Sequence, residues 1–376
     1  MSAELKSDAA RNNQIKISKK KQAFFTVVIF VVFLLALEGV FRLLGVGAET
    51  ARFKDGVGLY QKSDKSVRFE YTPGWDGVHA GGRVHINSAG WRGKDFAPVK
   101  PPGTVRILGV GDSVTFGKAV NDEDVFLARL EEMLNADGRP HFETINTGHE
   151  GLNTADELQY FNECKMMKLD PDALVLGFTV SNDAELTPNR RAYRKLKRTA
   201  TVSLRISESD WFTTLSDWSR VARVLGRGAL WISSKELSRI NSDVILDNFQ
   251  DGSESWENCR HALLGFYEIS HNNGVPLIVV LFPDCATDLN RTFSEYPEEF
   301  RRIHEKLRAV FAGKSGAVVV DILDDLSATQ LTSRDTMVPI DGHPNRIWHE
   351  IVAHRLCEIM KGLGLTSAER RRAPSG

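Results

Sequence analysis

Ile107-Leu108-Gly109-Val110-Gly111-Asp112-Ser113-Val114-Thr115-Phe116-Gly117 decides the fold. A short apolar run stops at Gly-Asp-Ser, and a helix-like segment follows. Open α/β sheets present their functional groups at the carboxyl ends of strands, where this serine would stand. The flanking glycines let a substrate approach the backbone closely. Gly109-x-Gly111 matches half of a dinucleotide fingerprint, but that motif needs another glycine three residues on, and position 114 is Val. No Gly-Lys-Ser/Thr follows, so the turn is not a phosphate loop. The bland alternative is a strand-to-helix turn with Asp112 or Ser113 as its cap.

Outward from this turn, strand and helix patterns alternate, which predicts an α/β fold with a largely parallel sheet covered on both faces. Strands are expected at 105–109, 142–147, 173–178, 275–282 and 317–322. Helices are expected at 122–135, 154–167, 257–272, 298–312 and 345–361. Before them, Lys100-Pro101-Pro102-Gly103 is a breaker, and Arg83-Val84-His85-Ile86-Asn87-Ser88 alternates like a strand. Residues 185–255 interrupt the alternation with a basic run, Arg190 to Arg198, and a helix-like stretch, Ser209 to Trp231. An insertion after the third strand falls at the sheet's functional edge, so it reads either as a lid or as a helical layer that only packs on the domain.

The chain has 376 residues, 42% hydrophobic and 26% charged, with a net charge of −1. That composition is ordinary for a globular protein and gives no basic field for nucleic acid. Four scattered cysteines, Cys164, Cys259, Cys285 and Cys357, form no Cys-x-x-Cys pair and no disulfide scaffold, though one optional disulfide fits an extracytoplasmic domain. No metal and no cofactor is expected.

The N-terminus divides into a polar, basic tail (1–22) and an apolar segment (23–45). Ala23 to Leu37 is an uninterrupted apolar run of about fifteen residues, and a span of roughly 20 requires Glu38 and Arg42 near the far interface. Lys19-Lys20-Lys21 before the run sets an N-in, C-out orientation. A single-pass signal anchor in the plasma (inner) membrane, with a periplasmic or other extracytoplasmic domain, is the leading expectation. A cleavable signal ending near Val46-Gly47-Ala48 competes with it, and a buried core helix is the third reading. The remaining divisions are a lead-in with short strands (46–103), the main domain (104–365) and a disordered tail (366–376).

Three later loops carry chemistry that a serine nucleophile needs. Pro339-Ile340-Asp341-Gly342-His343-Pro344-Asn345 offers His343 as base, with Asp341 able to reach its ring if the loop turns at Gly342. The second strand runs into Gly148-His149-Glu150-Gly151-Leu152-Asn153-Thr154, where a glycine N–H can face an oxyanion. The third ends in Val180-Ser181-Asn182-Asp183, where the Asn182 amide can donate, or can simply cap a turn.

These blocks, Gly111-Asp112-Ser113, Gly151, Asn182 and Asp341-x-His343, resemble those of the SGNH (GDSL) hydrolase superfamily. The lead-in, INSAGWRG with KPPGTVRILGVGDSVTFG after it, resembles membrane-anchored bacterial members, and Asp-x-His resembles the alginate acetyltransferase-like ones. The resemblance implies a flavodoxin-like three-layer α/β/α sandwich and metal-free ester hydrolysis or acyl transfer. It implies Ser113 as nucleophile, His343 as base and Asp341 as its partner. The oxyanion would rest on the N–H groups of Ser113 and Gly151 and on the Asn182 side chain. Two positions depart from the pattern: Val180 stands where the family carries glycine, and Asp341 lies two rather than three residues before His343. Asp112 would shape the turn, and His149 and His349 would be structural or solvent-exposed. The expected substrate is an acylated small molecule or carbohydrate, most simply an acetyl ester. An O-acyltransferase acting on an envelope polysaccharide and a non-catalytic carbohydrate-binding or scaffold protein are the alternatives.

Overall fold

The computed structural model describes residues 18–46, 56–136, 140–185, 215, 218–222, 224–225, 242–284, 291–338 and 342–366. Asp341, Cys285, the basic run 190–198, most of the expected helix over 209–231 and the C-terminal tail from 367 lie outside them. The chain divides into two compact units: 1–51 with 206–231, and 52–205 with 232–376.

The first unit is built on α1 (Lys19–Leu43), 25 residues with none buried. At 1.5 Å per residue it is about 37 Å long, enough to cross the roughly 30 Å of a hydrocarbon core. It is one helix long and apolar enough to cross a membrane among the described residues, a test that a signal sequence also passes.

The second unit opens with two antiparallel pairs, β1 (Tyr60–Gln61) with β2 (Glu70–Tyr71), and β3 (Asp76–His79) with β4 (Gly82–His85). The strand expected over 83–88 is shorter than its alternation suggests: Ile86 pairs only through an isolated bridge to Arg92. Leu59, Tyr71, Val84 and Ile86 make a small core that closes on Phe116, so the lead-in packs against the Gly-Asp-Ser turn.

The main sheet follows as β5 (Thr104–Val110), α2 (Ser113–Phe116), α3 (Phe126–Asn135), β6 (His141–Asn146), α4 (Thr154–Glu163) and β7 (Ala173–Thr179). After the insertion come α5 (Glu254–Asn272), β8 (Leu277–Phe282), α6 (Glu298–Val310), β9 (Ala317–Asp321), α7 (Ile322–Ser327), α8 (Ser333–Thr336) and α9 (Arg346–Gly362). The five strands are parallel, in the order β6-β5-β7-β8-β9. This is the flavodoxin-like order, and its switch point lies between β5 and β7, where ligands bind such sheets. Every residue of β7 and β8 is buried, which is why both read as unbroken apolar runs.

Two local departures have physical causes. The helix expected to reach Met167 ends at Glu163, because Lys165 turns left-handed at φ 52° and only a 3₁₀ turn, Met166–Leu169, follows. Arg106 is a fully buried charge in β5, held by Glu143 (2.7 Å) and the carbonyls of Leu169 (2.6 Å) and Ala97 (2.7 Å).

Candidate active site

Ser113 is the first residue of α2, directly beyond β5. Asp112 caps the turn, accepting the Val114 N–H at 2.8 Å. Gly111 stands at φ 154°, and a Cβ there would collide with Thr115 Oγ1 and meet the Gly177 carbonyl at 2.9 Å. Gly117 ends α2 in the left-handed conformation at φ 85°. The glycines therefore serve two needs, close packing against β7 and a sharp exit from a one-turn helix.

Arg92, from the Gly-Trp-Arg-Gly turn of the lead-in, holds the far end of this turn. Its buried guanidinium donates to the carbonyls of Phe116 (3.1 Å), Gly117 (2.5 Å), Val120 (2.7 Å) and Arg83 (3.1 Å), and to Asp122 (2.7 Å). Planar forked donors of this kind satisfy several carbonyls at once, which a lysine cannot do.

His343 reaches Ser113 from 230 positions away: its Nε2 lies 2.9 Å from Ser113 Oγ. The loop that presents it is tied to its surroundings. Gly342 adopts φ 78°, the His343 carbonyl accepts the Val338 N–H at 2.8 Å, and Asn345 N–H donates to Thr336 at 2.8 Å. Asn345 then caps α9 through the N–H groups of Ile347 and Trp348.

Asn182 lies beside the serine. Its Nδ2 donates to Asp112 Oδ2 at 2.9 Å and reaches the Leu152 carbonyl at only 3.5 Å, the limit of a hydrogen bond. A flipped amide would set its oxygen against the Asp112 carboxylate, so the donor orientation is the favoured one. Val180 is buried, and its backbone does not enter the left-handed region, so nothing at this position requires glycine. Gly151 heads the α4 segment at φ 78°, exposed, and is not among the residues that line the cleft.

Ser113, His343 and Asn182 share the wall of a cleft of about 440 Å³. Apolar walls come from Val244, Ile245, Phe282, Met337 and Trp348, and polar ones from Thr179, Glu185 and Asp284. Sequence reasoning did not find these. Phe282 ends β8 and Asp284 lies just beyond it, so both answer to the same strand-end rule that picked out Ser113, whereas Val244 and Ile245 carry no motif.

Behind the site lies a group of buried acids. Glu157 of α4 and Asp183 are pushed well above the usual carboxylate range, chiefly by burial and further by neighbouring carboxylates. Asp112 is raised by burial too, against the pull of Asn182, the Val114 N–H and His343. Both remaining motif histidines are structural. His149 Nε2 donates to the Phe69 carbonyl at 2.8 Å. His349 accepts the Phe126 N–H at 3.3 Å and is pushed down to about 3 by burial, so it is neutral. Among the described residues no group of His, Cys, Asp and Glu could hold a metal ion, and Cys164, Cys259 and Cys357 are free thiols.

No protein-family model matches the chain. No curated protein matches it either. Solved structures do align with it. A lipase/acylhydrolase from Enterococcus faecalis is 18% identical, over 69% of this chain and 96% of that one, with a TM-score of 0.39. A protein described as lipolytic, of the G-D-S-L family, from Desulfitobacterium hafniense is 12% identical, over 68% and 99%, with a TM-score of 0.39. A psychrotrophic esterase from Pseudoalteromonas is 11% identical, over 69% and 98%, with a TM-score of 0.38.

Proposed function

We propose that this chain is a metal-independent serine esterase that removes short acyl groups, acetyl first among them, from a carbohydrate or small alcohol. The observation that carries the reading is the 2.9 Å approach of His343 Nε2 to Ser113 Oγ at the switch point of the sheet. A hydroxyl in that position passes its proton to the imidazole as it attacks. The ester carbonyl becomes a tetrahedral oxyanion. Ser113 N–H, at the head of α2, has no acceptor within its helix and is available to that oxygen. The Asn182 N–H now directed at Leu152 from 3.5 Å supplies a second donor. Gly151 N–H is the third donor of this proposal, and its approach requires the loop after Glu150 to move toward the cleft. The alcohol leaves with the proton from His343, and water resolves the acyl-enzyme by the reverse path. Asp341 fixes the tautomer of His343 in this scheme.

The lining of the cleft supports this substrate range. Val244, Ile245 and Phe282 offer apolar contact for an acyl group, while Thr179 and Glu185 offer hydrogen bonds to an alcohol bearing hydroxyls. With α1 in a membrane and Lys19-Lys20-Lys21 on the cytoplasmic side, the chemistry faces the extracytoplasmic space.

The test is the full-length chain in detergent with p-nitrophenyl acetate and a fluorophosphonate probe, wild type against Ser113→Ala. Wild type turns over and is labelled on the Ser113 peptide, and the variant does neither. Equal turnover, or label elsewhere, overturns the proposal.

A further inference from the structure

The first unit carries a hydrogen-bond network that ester chemistry does not use. Glu38 is the single acidic residue of α1. Its side chain is 17% exposed in a helix that has no fully buried residue. Its carboxylate accepts Ser219 Oγ (2.9 Å), Arg220 N–H (3.2 Å), Val221 N–H (3.1 Å) and Arg42 Nε (2.8 Å). Arg42 Nη2 continues to the Trp218 carbonyl at 2.8 Å. In the opposite direction Arg220 Nη1 donates to the carbonyls of Phe41 (3.0 Å) and Arg42 (3.3 Å), which lie at the end of α1 and lack acceptance within the helix. Val221 and Ala222 are buried. Leu215, Trp218 and Leu225 are 46%, 78% and 61% exposed.

A removable leader has no need of such partners. An acid in an apolar span is costly and is retained where it is paired. Here the pairing is reciprocal: the insertion supplies donors to Glu38, and Arg220 satisfies the last carbonyls of α1. Cutting after α1 would leave Ser219, Arg220 and Val221 without their acceptor and Arg220 without the carbonyls it caps. We infer that α1 is retained as an anchor, and that residues 218–222 of the insertion are a clamp docked on its outer end, with Leu215, Trp218 and Leu225 seated in the surrounding lipid headgroup region. Tryptophan concentrates at that level of a bilayer, where its ring is apolar and its N–H stays wet. Lys19-Lys20-Lys21 mark the opposite interface, at the start of the same helix. Part of the insertion therefore fastens the chain to its own anchor, a role that does not depend on what Ser113 does.

The experiment uses the full-length chain with a C-terminal tag in bacterial membranes. Intact-mass measurement of the wild type reads retention directly. Phe41→Cys with Ser219→Cys, which keeps Glu38, treated with a short bis-methanethiosulfonate linker, reads docking, with Thr26→Cys and Ser219→Cys as the remote control. In nanodiscs containing brominated phosphatidylcholine, Trp218→Phe reads the seat in the lipid. The expected results are an uncleaved mass, linked peptides from the 41/219 pair only, and loss of part of the bromolipid quenching in Trp218→Phe. A mass beginning beyond residue 46, no linked 41/219 peptide, or quenching unchanged by Trp218→Phe overturns the inference. The mass reading needs no substitution, so it stands even where a variant fails to fold.

Discussion

Arg92→Met removes the side chain whose hydrogen bonds tie the lead-in to the end of the Gly-Asp-Ser turn. The methionine fills much of the same space but donates nothing. Four carbonyls and Asp122 lose a partner. The losses do not add, because some acceptors keep a second donor: Phe116 O retains Asn146 Nδ2 at 3.3 Å, and Gly117 O retains the Val120 N–H at 3.3 Å. Asp122 is 28% exposed and keeps the His85 N–H at 2.8 Å, so it is not stranded in an apolar site. Breaking a buried charged network by removing one partner costs about 3–5 kcal/mol, and these residual partners set the expectation near the lower end, about 3 kcal/mol. A domain stable by about 5–15 kcal/mol stays folded after that loss. The catalytic effect is separate. Loosening the exit of α2 blurs the alignment of Ser113 with His343, and displacement by about 1 Å costs on the order of a hundredfold in rate. The expected result is a kcat reduced by roughly ten- to a hundredfold with KM little changed, from the same positional argument. Arg92→Lys, with its charge kept and its fork lost, falls between. Urea titration followed by intrinsic fluorescence gives the stability, and p-nitrophenyl acetate kinetics give the rate. A Met variant with the wild-type urea midpoint and the wild-type kcat refutes the reasoning.

The buried acids give stability a pH slope. Glu157 and Asp183 are raised by burial, so the folded state holds protons that the unfolded chain releases. Their contribution is full below about pH 4, the range of the unfolded carboxyls, and is lost as pH rises toward the folded values. The unfolding free energy from urea titration should therefore fall between pH 5 and 8, by up to about 1.4 kcal/mol per pH unit for each proton, and Glu157→Gln should flatten the fall; parallel slopes would sink the assignment. Val180→Gly, which installs the residue of the resembled motif, removes a buried side chain and should destabilise by about 3 kcal/mol without raising kcat, measured by the same urea titration. Ile245→Ala enlarges the apolar wall of the cleft and should shift preference from acetyl toward butyryl and hexanoyl p-nitrophenyl esters. An unchanged ratio of kcat/KM across those esters would show that Ile245 does not face the acyl group.

Much of this architecture was legible because burial writes itself into strands. The runs at 173–179 and 277–282 are fully buried on both faces, so their apolar composition announced them. Ser113 and His343 were legible because a strand-end turn and a Gly-Pro-bounded loop each carry a polar residue that a core would not choose. Arg106 shows the limit of that logic: a charge in a central strand reads as a defect until Glu143 and two carbonyls are found around it. Arg92 shows another, since nothing local in Gly-Trp-Arg-Gly says that its partners lie in a turn more than twenty residues on. Val244 and Ile245 reach the cleft through tertiary packing alone, and no periodicity marks them. Glu38 was legible only as an acid near the far interface of a span; its partners at Ser219 to Val221 are far along the chain and lie in a segment with no motif of its own.

Asp112 is more than the shaper of a turn. One of its oxygens holds the Val114 N–H and the other holds the Asn182 amide. Ser113 and Asn182, on the loops after β5 and β7, are therefore both tied to a single buried carboxylate at the switch point. They keep their spacing even if the loops shift together. His343 is carried on the loop between α8 and α9, which the bridge between Met337 and Pro344 ties down. It reaches Ser113 from a different element than Asn182 does. A substitution that slackens the α8–α9 loop should then lower the rate of proton transfer while leaving the donor geometry of Asn182 in place.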